Sequence, residues 1–268
     1  MANFEHLALL EAGGIKWIEW RNKHPDIQPD LSEANLQGWN LKGACLQGAN
    51  LRKADLSDAL LVGANLSNAE LGGANLHQAI LSEANLFAAN LSIAHLSYAD
   101  LTEAILSQAN LIGSDLLGAN LKRADLSESN LIGTNLRGAN LRGADLGAAK
   151  LTRTNLSEAN LMSANLSDAD LSEANLYEAE MSQAYLYKTN LQKSNLSETH
   201  LSGAYLVRAN LSEADLSRTD LKWSNLSFAN LAGANLRGAN LRGVKLHKAN
   251  LTGAYLQNTK MPDGTIQD

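Results

Sequence analysis

A leucine returns every fifth residue from Leu31 to Leu256 without an insertion or deletion, and Met181 is the one departure from leucine. An α-helix turns about 100° per residue, so steps of five would scatter these leucines around its surface. A flat strand alternates faces with period two, so an odd step would send successive leucines to opposite sides. The chain must therefore turn once within each unit of five. If the small residue, the Asn or Asp and the Leu form a short extended piece, the first and third face the same way. The two residues that follow make the corner. Corners bending in one sense wind the chain into a solenoid with leucine inside every unit.

The position two before the leucine supports this geometry. It is mostly Ala, with Ser114, Thr154 and Thr219 as small polar variants, and only Trp39 and Val244 are larger. A fixed period over most of a chain marks a repeat architecture whose single coils cannot bury a core alone. The segment "LIGSDLLGANLKRAD" from Leu111 resembles "LIGTNLRGANLRGAD" from Leu131, a shift of four units.

The units "ANLRG", "ADLSD" and "ANLSE" resemble the A(D/N)LXX consensus of pentapeptide-repeat proteins, from about Asp30 to Asp268. That resemblance implies an all-β solenoid: a right-handed quadrilateral parallel β-helix of about twelve coils with a short helical N-terminal cap. At ~4.8 Å per coil the rod would be roughly 55 Å long. The expected division is a cap over residues 1–29 and a β-helix over 30–268. "IKWIEWRNKHPDIQPDLSEANL" is similar to the helical lead-in of cyanobacterial members of the family, and "MPDGTIQD" to the endings of several of them.

Proline occurs only at Pro25, Pro29 and Pro262, outside the uninterrupted repeats, as ladders that need backbone donors require. Cys45 is the single cysteine, at an outward Asn/Asp position, so no disulfide can form within one chain. The amino terminus carries Glu5 and Glu11 and lacks the basic start of a signal peptide. No apolar run approaches the ~20 residues of a membrane span, and the cytoplasm is the expected location.

The ends depart from the pattern. Leu7, Leu10, Ile15, Trp17 and Ile18 predict short amphipathic helices broken at Gly13–Gly14. They would cover the first coil, with Trp39 packed on Trp17 or Trp20. Met261 and Ile266 keep the five-residue register into the tail, and Pro262-Asp263-Gly264 is a turn signal. The chain is expected to be a monomer, or a dimer through this C-terminal end as in some family members.

Nothing in the sequence assembles catalytic chemistry. His77, His95, His200 and His247 are spread along the rod without ligand spacing. There is no phosphate-binding glycine loop, and the "GAN" and "RGA" strings place Gly at corners. No enzyme activity, metal or cofactor is expected. Asn135, Asn155, Asn175 and Asn195 should instead stack as an amide ladder.

Outward residues one coil apart predict the surface. Tyr185 lies near Tyr205 and Tyr187 near Val207, with Phe228 one coil further on the same face, and this aromatic cluster is the candidate partner surface. Leu60 under Ile80 and Ile112 under Ile132 are smaller apolar columns. Lys122 under Arg142 and Lys222 under Arg242 stack like charges, with Arg123, Arg137, Arg237, Lys245 and Lys248 enlarging two basic patches. No aromatic platform accompanies them, so nucleic acid is not the expected partner. Some pentapeptide-repeat proteins resemble duplex DNA and bind DNA gyrase. The net charge is −6, with five acids and three bases before Leu31 and two acids after Pro262, which leaves the repeats at −2. That field is weak for a DNA mimic. The expected function is a non-enzymatic, rigid interaction scaffold of regulatory type, presenting a surface to an unidentified protein partner. Modulation of DNA gyrase by DNA mimicry is the alternative.

Overall fold

The computed structural model describes residues 2–268. Parallel bridges link residues twenty apart in an unbroken series from Asp30↔Asn50 to Asn240↔Lys260, so four five-residue units make each coil. The unit around Leu136 shows why the sequence holds this form. Asn135 N donates to the Ser114 carbonyl one coil before, and Leu136 N and Gly138 N donate to the Asn155 and Ser157 carbonyls one coil after. Ala139 N closes the corner on the Leu136 carbonyl at 3.0 Å. One backbone donor remains, Arg137 N, and the Asn135 side-chain carbonyl accepts from it at 3.3 Å. The recurrent Asn or Asp thus completes the hydrogen bonding of its unit.

Every fifth residue from Glu33 to Asn258 has φ between +52° and +71°, the left-handed value required at the third residue of a type II turn. The squares therefore share one corner geometry. Inside, leucines from Leu46 to Leu226 are fully buried, with the small residues two before them. The predicted amide ladder is present: Asn155, Asn175 and Asn195 each donate Nδ2 to the Oδ1 of the Asn one coil before, at 3.4, 3.3 and 3.0 Å.

At the N-terminus lie helices α1 (Phe4–Glu11) and α2 (Gly14–Lys23), divided at Gly13 as predicted. The Asn3 side chain accepts from Glu5 N and His6 N, capping α1, and Gly13 enters α2 with φ +103°. Both helices are tied to the first coils. His6 Nδ1 accepts from Asp30 N at 3.0 Å, and the buried Trp17 donates its indole N–H to the Cys45 carbonyl at 2.8 Å. Trp17 stacks on Trp20, and Trp20 on His24. Trp39 is half-buried and shares with Trp17 the wall of a 520 Å³ cleft.

The other end differs from the expected register. Met261 is partly buried, but Ile266 does not enter a further coil. Pro262-Asp263-Gly264 reverses the chain, with Gly264 at φ +89°, and Ile266 lies exposed in an antiparallel pair of β1 (Thr259–Lys260) and β2 (Ile266–Gln267). The five-residue spacing of Ile266 is retained in sequence only, because the turn redirects the backbone.

Candidate functional site

The candidate aromatic surface is built where the unit breaks its own rule. Tyr185 and Tyr205 occupy the outward Asn/Asp position of consecutive coils and are bridge partners. A tyrosine cannot accept the next corner's amide, so the N–H groups of Tyr187 and Val207 have no acceptor among the described residues. Two neutral hydrogen bonds made in most other units are given up here for two rings, exposed by 56% and 41%. Tyr187 and Val207 stand half-buried beside them in the next outward column.

Phe228 falls in a different column from Tyr187 and Val207. It holds the left-handed corner position, in register with Lys188, Arg208 and Lys248. Its ring is flanked by cations, with the Arg208 guanidinium 5.9 Å and the Lys248 ammonium 5.7 Å from its centroid, and His247 meets it edge-on. Lys188 lies 5.3 Å from the Tyr187 ring, and Arg208 reaches the Tyr187 hydroxyl at 3.5 Å. The predicted cluster is thus a tyrosine–valine face bordered by an edge of alternating cations and rings.

The sequence reading missed Trp223. Trp223 holds the left-handed corner position, φ +62°, immediately before the buried Ser224 and the outward Asn225, so it borders the tyrosine face at its leading corner. It is 66% exposed and lies against the backbone of Gly243, where a Cβ would run into its ring. The 223/243 register, a tryptophan beside a glycine one coil on, is the signal that would have found it. Trp223 also places a ring beside Lys222 and Arg242, where none was expected.

The basic patches are less coherent than predicted. Arg123 pairs with Glu103, Arg137 with Glu158 at 2.8 Å, and Lys222 with Asp220 at 2.9 Å. Arg237 donates to Gln257 and lies over the Tyr255 ring. Long side chains reach acids and amides in their own and neighbouring coils, which the stacking of like charges alone does not reveal. Among the described residues no group of three or more His, Cys, Asp and Glu side chains could hold a metal ion, and no helix is long and apolar enough to cross a membrane.

Comparison with known proteins agrees with the coil. The family model for pentapeptide repeats matches in overlapping or adjacent segments from residue 27 to residue 261. The chain belongs to the pentapeptide repeat family. Its members form right-handed quadrilateral β-helices, which assigns the hand of the coil. HetL of the cyanobacterium Nostoc sp. strain PCC 7120, a pentapeptide repeat protein involved in heterocyst differentiation regulation, is 35% identical. The match covers 92% of this chain and 97% of HetL, with a TM-score of 0.63. The pentapeptide repeat protein alr5209 from Nostoc PCC 7120 is 37% identical over 33% of this chain and 75% of its own, with a TM-score of 0.31. QnrB1, a plasmid-mediated fluoroquinolone resistance protein, is 18% identical over 80% of this chain and 90% of its own, with a TM-score of 0.29. Curated protein sequences gave no match.

Proposed function

We propose that this pentapeptide repeat protein is a non-enzymatic regulatory scaffold whose Tyr185–Tyr205 face binds a protein partner, with residues 1–29 acting as the cap of the rod. The observation that carries this reading is the replacement of Asn by Tyr at two stacked positions. The fold gains nothing from it in hydrogen bonding, whereas an exposed pair of tyrosines with a nearby tryptophan is the composition of a binding hot spot. The rigid coil holds these rings in place before the partner arrives, so binding needs little ordering of the scaffold. Similarity to HetL along nearly the whole chain supports a regulatory role. Mimicry of DNA is less well supported, because Arg52–Glu70, Arg153–Glu173 and Arg218–Glu198 ion pairs interleave the charges along the rod.

The test compares proteins recovered from native lysate by the wild type and by a Tyr185→Asn/Tyr205→Asn variant. Asparagine restores the repeat's own residue, so the variant should stay folded with its melting temperature unchanged or raised. A partner recovered by the wild type and lost by the variant is the expected result. Identical recoveries would remove the face from the proposal.

A further inference from the structure

The column through the two tyrosines has a symmetry that the repeat does not require. Its bridge-linked members run Asp145, Asn165, Tyr185, Tyr205, Asn225, Lys245. Read outward from the midpoint between Tyr185 and Tyr205, tyrosine answers tyrosine, asparagine answers asparagine, and the acid answers the base. The neighbouring column repeats the arrangement: Tyr187 and Val207 are apolar at the centre, with Ser167 and Ser227 outside them. On the other side, the large Trp223 corresponds to the small Ser163.

Resting on the reading of this face as a recognition surface, we propose that its partner is a second copy of the chain, packed side by side and antiparallel. A two-fold axis lying in the contact plane and perpendicular to the rods sets each column against the same column of the other copy, reversed. Each Tyr185 then faces Tyr205 of the other copy, Tyr187 faces Val207, Asn165 faces Asn225, and Asp145 faces Lys245. Trp223 meets Ser163, a large side chain against a small one, while at the opposite corner Lys188 comes to the same level as Arg208 of the other copy, a like-charge pair that opposes the contact. Asp145 and Lys245 are both exposed and neither makes an ion pair within the chain, so each charge is available to the other copy. A parallel arrangement about an axis along the rods would leave each Asp145 near its own copy and each Lys245 near its own, which like charges oppose.

The contact has an aromatic centre, an amide flank and a charged rim, the layout of a specific interface. Six coils at ~4.8 Å make it roughly 29 Å long and one sheet face wide, at the small end of stable interfaces. The dimer should therefore depend on concentration and on salt.

Sedimentation velocity of the full chain over a wide concentration range, at low and high salt, tests the pairing. Wild type should shift from monomer to dimer with increasing concentration, and more weakly at high salt. Lys245→Glu and Asp145→Lys should each weaken the dimer by about tenfold or more, because each creates two like-charge contacts per dimer. Lys245 and Lys150 already occupy the outward position of their units, so the coil accommodates a lysine there, although Asp145→Lys gives up the bonds that Asp145 accepts from Gly147 N and Asn165 Nδ2; thermal melts verify that each variant is folded. The doubly reversed Asp145→Lys/Lys245→Glu chain should recover wild-type association. A monomer at every concentration, a dimer that neither single reversal weakens, or a double variant that fails to recover would each overturn the pairing. If association fails while the Tyr185→Asn/Tyr205→Asn variant still loses a lysate partner, the second copy is excluded and the face keeps its role.

Discussion

At the inward small-residue position a hydroxyl fits when a core carbonyl accepts its proton. Thr154, Thr199 and Thr219 reach the carbonyls of Leu131, Leu176 and Leu196 at 2.7–2.8 Å, while Ser114 and Ser194 bond the leucine carbonyl of their own corner. Ser224 occupies the same position, fully buried, yet its Oγ has no partner among the described residues. An unmade buried hydrogen bond costs about 1–3 kcal/mol, so Ser224→Ala should leave stability unchanged or raise it by about 1 kcal/mol. Thr154→Val keeps the shape and removes a bond that is made. It should lower stability by about 1 kcal/mol, and the Leu131 carbonyl retains its bond from Thr134 N. Denaturant melts of the two variants should move in opposite directions, or at least differ by this amount.

The amide ladders show how separate coils become continuous elements. An Asn both donates and accepts, so it passes the chain of bonds onward. An Asp or Glu only accepts, so a run starts there: Asp115 receives Asn135, Asp170 receives Asn190, and Glu70 receives Asn90. Among such starting acids, Asp55, Glu70 and Asp170 carry a pH dependence. For Asp55 the Ser57 hydroxyl is the largest influence, and for Glu70 the Arg52 guanidinium, each holding the carboxyl below its usual range. Burial pushes Asp170 upward, but donors from Ser172, Thr152 and Asn190 outweigh it and the net shift is downward. A depressed native pKa stabilises the fold above the unfolded-state value, and the gain is lost as pH falls through the native one. Melting temperature should therefore hold near neutrality and fall below about pH 4, less steeply in Asp170→Asn, which keeps an acceptor but cannot titrate. An identical slope in that variant would contradict the assignment. The ladder and the leucine core were legible in sequence because both follow from a register of five and twenty. Trp223, the corner column of Phe228 and the Arg137–Glu158 pair were not, since side-chain direction at a corner depends on the turn. Ile266 was misplaced because a local turn overrode a spacing that continued in the letters.

Across the whole molecule each coil touches only its neighbours, so stability is a sum of local coils and their interfaces. The two ends are unlike. Leu31 and Leu36 in the first coil, at the end that carries α1 and α2, are fully buried, whereas Leu246, Leu251 and Leu256 in the last coil are only partly buried. The same substitution should thus have different consequences by position. Leu136→Asp places a carboxylate in a dry interior with coils on both sides, where an unpaired charge costs several kcal/mol even after relaxation. The coil cannot move aside without breaking its bonds to both neighbours, so the rod should lose its single cooperative transition or melt well below wild type. In Leu256→Asp the carboxylate can turn toward solvent at the open end, and only the terminal coil needs to loosen. Thermal melting with amide hydrogen exchange separates the two cases. Protection should fall on both sides of residue 136 in the first variant, and only beyond about residue 240 in the second. Equal losses from the two substitutions would mean that the rod responds as one indivisible unit, contrary to a stack of coils joined through nearest-neighbour contacts.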